Sequence, residues 1–341
     1  MALKAHPPPT PDGAVVDVGM PTLGESKYLV EAVESIFAQS YSCWRLLISE
    51  NGVGNDNLRD ALAPFIDDPR VHHLVSGERV SLARSWTRLV RASSAPYFAM
   101  LHDDDRWKTE FLQRRVEFLD DHPTCGFVFS GHWMIDEYGT TNGRLTLKLH
   151  EGLHKTRNIL PQLFEYNLVG PPTAMFRRTA FEAVGNEYRD VLLTDHDMVI
   201  RQAAQFDVGF LSGWDSEYRI YDGQTSATRR LELGQAHLEV IESVGDVPVP
   251  DRTRRRIEAS AHVCCALDNV ELGERRRTLS HLRDAVRADP SSILRPGVAT
   301  RMLIAIIALA FGDRGRRRFV EMRLRRFQGR STGMSRVQRN F

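Results

Sequence analysis

The sequence predicts an α/β protein with a mostly parallel sheet flanked by helices and a helical C-terminal extension. Over the first two-thirds of the chain, short apolar runs alternate with amphipathic helical segments, which is the pattern of βαβ units. Polar or acidic residues follow several of these runs, as they do at the carboxyl ends of parallel strands. From about Leu231 onward this pattern stops, and helical, arginine-rich segments follow.

Composition narrows the class of protein. The chain has 341 residues, a formal net charge of +1 and ordinary apolar (42%) and charged (26%) fractions, so we expect no nucleic-acid partner. The four cysteines form neither a CxxC motif nor a zinc quartet, which favours reduced thiols and a cytoplasmic protein. No apolar run reaches the roughly eighteen residues of a membrane span. Residues 1–13 lack the apolar core of a signal peptide and are expected to form a flexible leader.

Strands and helices can be assigned in chain order. Val15–Met20 is a predicted strand that Pro21 ends, because proline lacks an N–H and fixes φ. The helix that follows has its apolar residues at helical spacing. Further strands are predicted over Trp44–Ser49, Val71–Val75, Tyr97–Leu101, Gly126–Ser130, Ala174–Phe176 and Val208–Leu211, and further helices over Asn57–Ile66, Ser81–Ala92, Thr109–Asp121 and Thr179–Val184. We expect residues 135–157, which are polar and contain glycines, to form loop and irregular hairpin.

The acidic triplet Asp103–Asp105 is the most informative motif. It follows the apolar run Tyr97–Leu101 directly, so three carboxylates stand where a buried strand leaves the sheet. In open α/β sheets that edge binds ligands, and carboxylates with substrate phosphates suit Mg²⁺ or Mn²⁺. A solvated acidic turn before the helix near Thr109 explains the triplet equally well. The triplet alone leaves both interpretations open.

Two later segments carry further candidates. Asp195 follows the triplet by about ninety residues, and Thr194 as a helix N-cap explains Thr194 but not Asp195. One acidic group could then hold a metal while the other accepts a proton. The segment Tyr218–Ser226 is either a polar loop or a flexible cover over an anionic ligand, with Arg219 offering a charge-assisted fork to phosphate.

The C-terminal region is predicted to be helical. Its candidate helices are Gln235–Val244, Arg252–Asn269, Arg275–Ala288 and Thr300–Phe311. The stretch Gly315–Arg330 contains seven arginines and one acidic residue. A solvated helix face is the favoured interpretation. The alternative is a basic segment that, together with the apolar run Met302–Phe311, holds the protein at an anionic membrane surface.

Taken together, the segments from about Val15 to Ala227 resemble family 2 of the inverting nucleotide-sugar glycosyltransferases, which have the GT-A fold. The order of several motifs carries the resemblance: Val18-Gly19-Met20-Pro21-Thr22, Ser35-Ile36-Phe37-Ala38-Gln39-Ser40-Tyr41, Ile48-Ser49-Glu50-Asn51-Gly52, Ala83-Arg84, His102-Asp103-Asp104-Asp105 and Thr194-Asp195. This chain has Glu50 where the family has Asp, Thr194 where it has Glu, and Tyr221 where it often has His.

The resemblance implies a function and a set of site residues. The function is metal-dependent transfer of a sugar, with inversion, from a nucleotide-diphosphate sugar (a UDP, dTDP or GDP sugar) to a hydroxyl of a glycan, lipid-linked or small-molecule acceptor. Asp195 would be the general base, and Asp103 and Asp105 would bind Mg²⁺ or Mn²⁺. The residues implied in donor binding are Pro21, Thr22, Glu50, Asn51, Arg84, Asp103, Asp104, Arg219, Gln224 and Ser226.

The same resemblance sets the domain organisation: a GT-A catalytic domain over residues 14–230 and a helical, arginine-rich region over 231–341. A sugar nucleotidyltransferase would need a glycine-rich basic loop after the first strand to hold a triphosphate. Pro21-Thr22-Leu23-Gly24-Glu25 does not provide one. A non-catalytic scaffold that binds glycan or nucleotide-sugar stays open as an alternative, since the glutamate before Asp195 is absent. The expected location is cytoplasmic, with a peripheral position at the inner face of the membrane as the alternative.

Overall fold

The computed structural model describes residues 13–222, 224 and 229–331, which divide into two compact units. The first unit extends to Asp190 and includes Thr194–Arg219. The second contains Val191–Leu193 and continues from Ile220. Every helix in the described ranges is too short or too polar to cross a bilayer.

The first unit contains all twelve described strands and seven helices. The strands are β1 (Val16–Thr22), β2 (Trp44–Glu50), β3 (Val71–Val75), β4 (Tyr97–Met100), β5 (Arg106–Trp107), β6 (Cys125–Ser130), β7 (His132–Ile135), β8 (Thr141–Leu145), β9 (Gly152–His154), β10 (Ala174–Arg177), β11 (Asp207–Leu211) and β12 (Ser216–Arg219). The helices are α1 (Leu29–Phe37), α2 (Asp56–Leu62), α3 (Leu82–Ala92), α4 (Phe111–Asp121), α5 (Thr156–Glu165), α6 (Arg178–Ala183) and α7 (Thr194–Ala203).

Eight strands form the main sheet, in the order β3-β2-β1-β4-β10-β6-β11-β9. The neighbours from β3 to β4 are parallel, as are β6 and β11, whereas β10 runs antiparallel to both β4 and β6. β9 closes one edge in the antiparallel direction. The prediction of a mostly parallel sheet flanked by helices is confirmed. A second sheet has the order β5-β12-β7-β8.

The core of this unit lies between the main sheet and its helices. β4 is buried along its whole length, and α1 buries Leu29, Ala32, Val33 and Ile36 at helical spacing. Gly19 allows β1 and β4 to pack closely, because a Cβ there would lie 2.7 Å from the Phe98 ring. Apolar strands that are buried on both faces are typical of parallel sheets.

β1 extends two residues beyond its predicted end, because Pro21 does not stop it. Pro21 is in register with Ser49 of β2, whereas the pairing of β1 with β4 ends at Gly19 and Met100. Pro21 therefore lies where the strand has one neighbour, a position at which a sheet tolerates a missing N–H. The extension carries Thr22 to the carboxyl edge of the sheet.

Residues 135–157 are more regular than predicted. β7 and β8 form an antiparallel hairpin, β9 joins the main sheet, and α5 begins at Thr156. β8 has the sequence Thr-Asn-Gly-Arg-Leu, which lacks an apolar alternation. Its Gly143 fits against Met134, since a Cβ there would lie 2.7 Å from Met134 Cε. Pairing with β7, rather than local propensity, makes this segment a strand.

The second unit is helical over its described residues, as predicted. Its helices are α8 (Leu233–Ser243), α9 (Asp251–Leu272), α10 (Arg275–Ala288), α11 (Pro296–Ala310) and α12 (Gly312–Ser331). Val263, Leu282 and Met302 belong to a small apolar core that α9, α10 and α11 share. Gly273 ends α9 in the left-handed conformation, with φ 81°, which is a common helix C-cap.

Candidate functional site

The candidate site lies at the carboxyl edge of the main sheet. β1 and β4 are parallel neighbours, so Thr22 at the end of β1 and the acidic triplet after β4 reach the same edge. Thr22 Oγ1 donates a hydrogen bond of 2.5 Å to Asp103 Oδ2. Ser26 Oγ donates to the backbone carbonyl of Asp103 at 2.9 Å. The end of β1 and the residues after it therefore fix the first carboxylate of the triplet.

The three aspartates have three different surroundings. Burial raises the pKa of Asp103 to about 7, although the hydrogen bond from Thr22 acts in the opposite direction. Asp105 is fully buried, and burial raises its pKa well above the ordinary value. Its Oδ1 accepts a hydrogen bond of 2.8 Å from the backbone N–H of Arg219. Its Oδ2 has no hydrogen-bond partner among the described residues.

His102, Asp104 and Asp105 form the candidate metal cluster. One ligand atom from each lies within 4.8 Å of the other two. The sequence prediction of the metal pair was Asp103 and Asp105. The cluster contains Asp105 but not Asp103, whose Oδ2 accepts the hydrogen bond from Thr22. The free Oδ2 of Asp105 is the buried polar atom that a cation would satisfy. Two carboxylates and an imidazole fit a divalent ion, and the imidazole favours Mn²⁺ over Mg²⁺.

Arg219 is buried against the triplet and does not face an open site. It is completely buried, and its Nε donates to the backbone carbonyl of Asp104 at 2.8 Å. Its Nη1 donates to the Asp136 carbonyl at 3.1 Å and its Nη2 to Glu31 Oε2 at 2.9 Å. The guanidinium also stacks on the Tyr28 ring at 3.9 Å. The predicted fork to phosphate is thus not the role that these contacts give Arg219.

Glu50 lies close to a histidine without a hydrogen bond between them, and Asn51 is hydrogen-bonded to the backbone. The Glu50 side chain is buried, and one of its carboxylate oxygens lies 2.9 Å from Nε2 of His73. The Asn51 amide donates to the Val80 carbonyl at 2.9 Å and accepts from the Val80 N–H at 2.8 Å. Asn51 therefore fixes the turn that leads into α3. Neither contact could be predicted from the sequence, because both partners are distant in the chain.

The remaining predicted donor-binding residues occupy varied positions. Pro21 is half-buried in β1, and Arg84 lies on the first turn of α3 with an exposed side chain. Gln224 belongs to the second unit, where its backbone N–H bonds the Tyr221 carbonyl at 3.2 Å. Ser226 lies outside the described residues. Within the first unit, the structure thus brings Thr22 and the triplet together.

Asp195 approaches the same edge from α7. Asn167 Nδ2 donates to Asp195 Oδ2 at 3.2 Å. Burial raises the pKa of Asp195, against the opposing effects of the Asn167 hydrogen bond and the His102 imidazole. Burial lowers the pKa of His102, against the opposing charges of Asp104 and Asp195. The charge of Asp195 thus affects the pKa of His102, although the sequence separates the two residues widely.

Aromatic residues that sequence reasoning missed line this region. The Trp86 ring lies 5.2 Å from the His102 ring and 5.2 Å from the Tyr188 ring, measured between centroids. Burial raises the pKa of Tyr188, and the charge of Asp195 adds to the effect. Asn167 was also missed. These residues are isolated in the sequence, and no motif marks them.

The geometry agrees with comparisons with known proteins. The sequence profile described as "Glycosyl transferase family 2" matches residues 17–185. Residues 17–185 belong to glycosyl transferase family 2. This family 2 segment includes Glu50, Arg84 and the acidic triplet, whereas Asp195 lies beyond it. The resemblance to family 2, which the motifs indicated, and the predicted GT-A fold are both confirmed.

Curated relatives share part of the chain. The putative teichuronic acid biosynthesis glycosyltransferase TuaG of Bacillus subtilis is 28% identical over 127 residues, which are 37% of this chain and 50% of the relative. The chain thus spans half the length of that relative. The putative glycosyltransferase EpsE of Bacillus subtilis is 27% identical over 221 residues, which are 61% of this chain and 72% of the relative.

Solved structures share the fold. TarS 1–349 of S. aureus, in complex with UDP-GlcNAc, gives a TM-score of 0.64 at 14% identity and covers 91% of both chains. The mannosyltransferase PcManGT of Pyrobaculum calidifontis, in complex with GDP-Man and Mn²⁺, gives a TM-score of 0.56 at 17% identity. That match covers 92% of this chain and 85% of the mannosyltransferase. At these identities the likeness concerns the fold.

Proposed function

We propose that the protein is a metal-dependent, inverting glycosyltransferase that moves a sugar from a nucleotide-diphosphate sugar to an acceptor hydroxyl. The observation that carries the proposal is the cluster of His102, Asp104 and Asp105 at the carboxyl edge of the sheet, where one ligand atom of each residue lies within 4.8 Å of the other two. A single displacement requires carboxylates that bind the metal ion and a separate carboxylate that accepts a proton from the acceptor. The named ligands of the two structural neighbours, UDP-GlcNAc and GDP-Man, support a UDP or GDP sugar as donor, with a dTDP sugar as a further candidate.

His102, Asp104 and Asp105 would hold the divalent ion, Mn²⁺ or Mg²⁺. When bound, that ion supplies charge neutralisation for the departing diphosphate. Arg219 keeps the triplet in place through the Asp104 carbonyl and the Asp105 carboxylate. Arg84, which is exposed on the first turn of α3, would contact the donor, and Asn51 positions the turn before it. Arg219 thereby becomes a positioning residue in the proposal.

Asp195 would act as the general base. Its carboxylate would accept the proton of the acceptor hydroxyl as that oxygen bonds to the anomeric carbon. The bond from this carbon to the diphosphate oxygen breaks at the same time, so that the nucleoside diphosphate leaves and the configuration inverts. The raised pKa makes it a stronger base than an exposed aspartate, which suits catalysis near neutral pH. Asn167 orients the carboxylate through its 3.2 Å hydrogen bond. In this chain Asn167 takes the orienting role that the missing glutamate before Asp195 leaves open.

A donor panel tests the proposal directly. The full chain is screened by thermal shift against UDP-, GDP- and dTDP-sugars with Mn²⁺, since a ligand that binds the folded state raises the melting temperature. Donors that stabilise the protein are then assayed for release of the nucleoside diphosphate. Steady release supports the enzyme. Binding without any release, with candidate glycan, lipid-linked and small-molecule acceptors present, would support the non-catalytic scaffold instead.

A further inference from the structure

The outward face of α11 is more apolar than a solvated helix requires. Leu303, Ile306 and Ile307 lie on one side of this helix at helical spacing and are all exposed. The side that packs into the core contains Val298, Met302, Ala305 and Ala308. Soluble monomers rarely expose contiguous apolar surface of this kind unless it binds something.

The apolar face continues onto α12 around a cavity. Phe311, at the junction of the two helices, is 69% exposed, and Met322 on α12 is 48% exposed. A cavity of about 680 Å³ lies between the helices, lined by Ile307 and Phe311 among others. The lining also includes Arg314 and Arg318. We call this surface, formed by Leu303, Ile306, Ile307, Phe311 and Met322, the apolar patch.

Positive charge borders the apolar patch. The sequence of α12 contains eight arginines against Asp313 and Glu321. Arg314 and Arg318 are exposed and line the same cavity as Ile307, Phe311 and Met322, and Arg317 is exposed on the same helix. An apolar face with arginines beside it is the arrangement of helices that lie in the plane of a membrane interface. α11 has 15 residues, too few to span a bilayer.

We propose that the apolar patch and the α12 arginines dock this protein on the surface of an anionic lipid bilayer. Leu303, Ile306 and Phe311 enter the boundary between headgroups and acyl chains. The arginines face the anionic headgroups, whose attraction for each basic residue near the surface corresponds to about a fivefold gain in affinity. The charge complementarity selects an anionic membrane over an uncharged apolar partner. The inference concerns the second unit alone and does not depend on the transfer chemistry.

Vesicle co-sedimentation of the full chain tests the proposal. The protein is expected to bind vesicles that contain phosphatidylglycerol and phosphatidylcholine, and to bind pure phosphatidylcholine vesicles much more weakly. The double change Ile306→Ser and Phe311→Ser should lower the partition coefficient by about tenfold or more, because two apolar side chains no longer enter the bilayer. Changing Arg317 and Arg318 together to Gln should remove much of the preference for anionic vesicles, and high salt should do the same.

The matched control is Leu279→Ser, since Leu279 is 54% exposed on α10, outside the apolar patch. It should bind vesicles like the native chain. The proposal is wrong if the native chain ignores anionic vesicles, or if the control weakens binding as much as the double change. The proposal is also wrong if the native chain does not bind vesicles and sedimentation velocity shows that it forms a dimer, which the double change dissociates and the control does not. The rate at which nucleoside diphosphate is released from the donor in solution should be equal in all these variants. The membrane proposal can therefore fail while the sugar-transfer proposal holds, and the reverse.

Discussion

Two charge-rich regions of this chain behave in opposite ways. In the first unit, three consecutive aspartates follow β4 and are drawn into the protein, where each meets different neighbours. In the second unit, Arg314, Arg317 and Arg318 stay exposed at the start of α12. Both runs allow the same neutral interpretation, a solvated charged face. The comparison shows that identical charged residues acquire different roles when they are buried among different neighbours, and that a run of charge in the sequence is not sufficient.

The largest expected effect concerns the base proposed for the first region. Asp195→Asn should lower the rate of nucleoside diphosphate release by about 10² to 10⁴, because the amide cannot accept the proton. Donor affinity, measured by titration calorimetry, should stay close to native. The control is Asp190→Asn, an exposed aspartate that precedes α7. Native turnover in the Asp195 variant would exclude Asp195 as the base.

Arg219 and Arg84 offer a comparison of a buried and an exposed arginine. Arg219→Met should lower the free energy of unfolding by about 3 kcal/mol, because it replaces a buried guanidinium and the three hydrogen bonds that it donates are lost. Arg84→Met should change it by less than about 0.5 kcal/mol, as expected for an exposed site. Urea unfolding measures both. Donor affinity should fall in the Arg84 variant, and equal stability losses in the two variants would contradict the assignment.

The three aspartates of the triplet should differ in how much each contributes to Mn²⁺ affinity. Asp105→Asn and Asp104→Asn should each weaken Mn²⁺ binding by about tenfold or more, because each removes a charged ligand of the cluster. Asp103→Asn should weaken it much less, since its carboxylate is held by Thr22. Calorimetric titration with Mn²⁺ alone separates these outcomes. A loss at Asp103 equal to that at Asp105 would restore the pairing predicted from the sequence.

The smallest effect is a shift in a pH profile. Burial raises the pKa of Asp103 from 3.8 to about 7, so the folded state keeps a proton that the unfolded chain releases in that interval. The contribution of Asp103 to stability is therefore greatest at low pH and falls as pH rises from about 4 to 7. Thr22→Val removes the hydrogen bond that favours the carboxylate and should extend the fall to higher pH.

The measurement is the free energy of unfolding against pH in metal-free protein, with Thr22→Ser as the control that keeps the hydroxyl. The serine variant should follow the native profile. A valine variant whose profile moves to lower pH would contradict the role given to the Thr22 hydroxyl. The shift should be within about one pKa unit, which corresponds to about 1.4 kcal/mol.

Much of the fold could be predicted because its determinants are local. β3 and α10 have the predicted bounds, since apolar periodicity and turn residues within a few positions specify them. β8 was missed because its sequence carries no apolar alternation and pairing with β7 decides its structure. α5 has its buried apolar residues at helical spacing, but it contains Pro161, which ordinarily indicates a helix end. The extension of β1 through Pro21 likewise depends on where β4 stops pairing.

The sequence by itself determined the alternation of strands and helices from β1 to β4, the position of the acidic triplet at a strand's carboxyl end, and the resemblance to family 2. Only the tertiary structure decided which carboxylate Thr22 holds, that Arg219 is buried with hydrogen bonds to Asp104 and Asp105, and which residues form the candidate metal cluster. The physical reason is distance along the chain. Side-chain direction, burial and electrostatic neighbours depend on residues tens of positions away, whereas the periodicity that specifies each element lies within a single turn or strand.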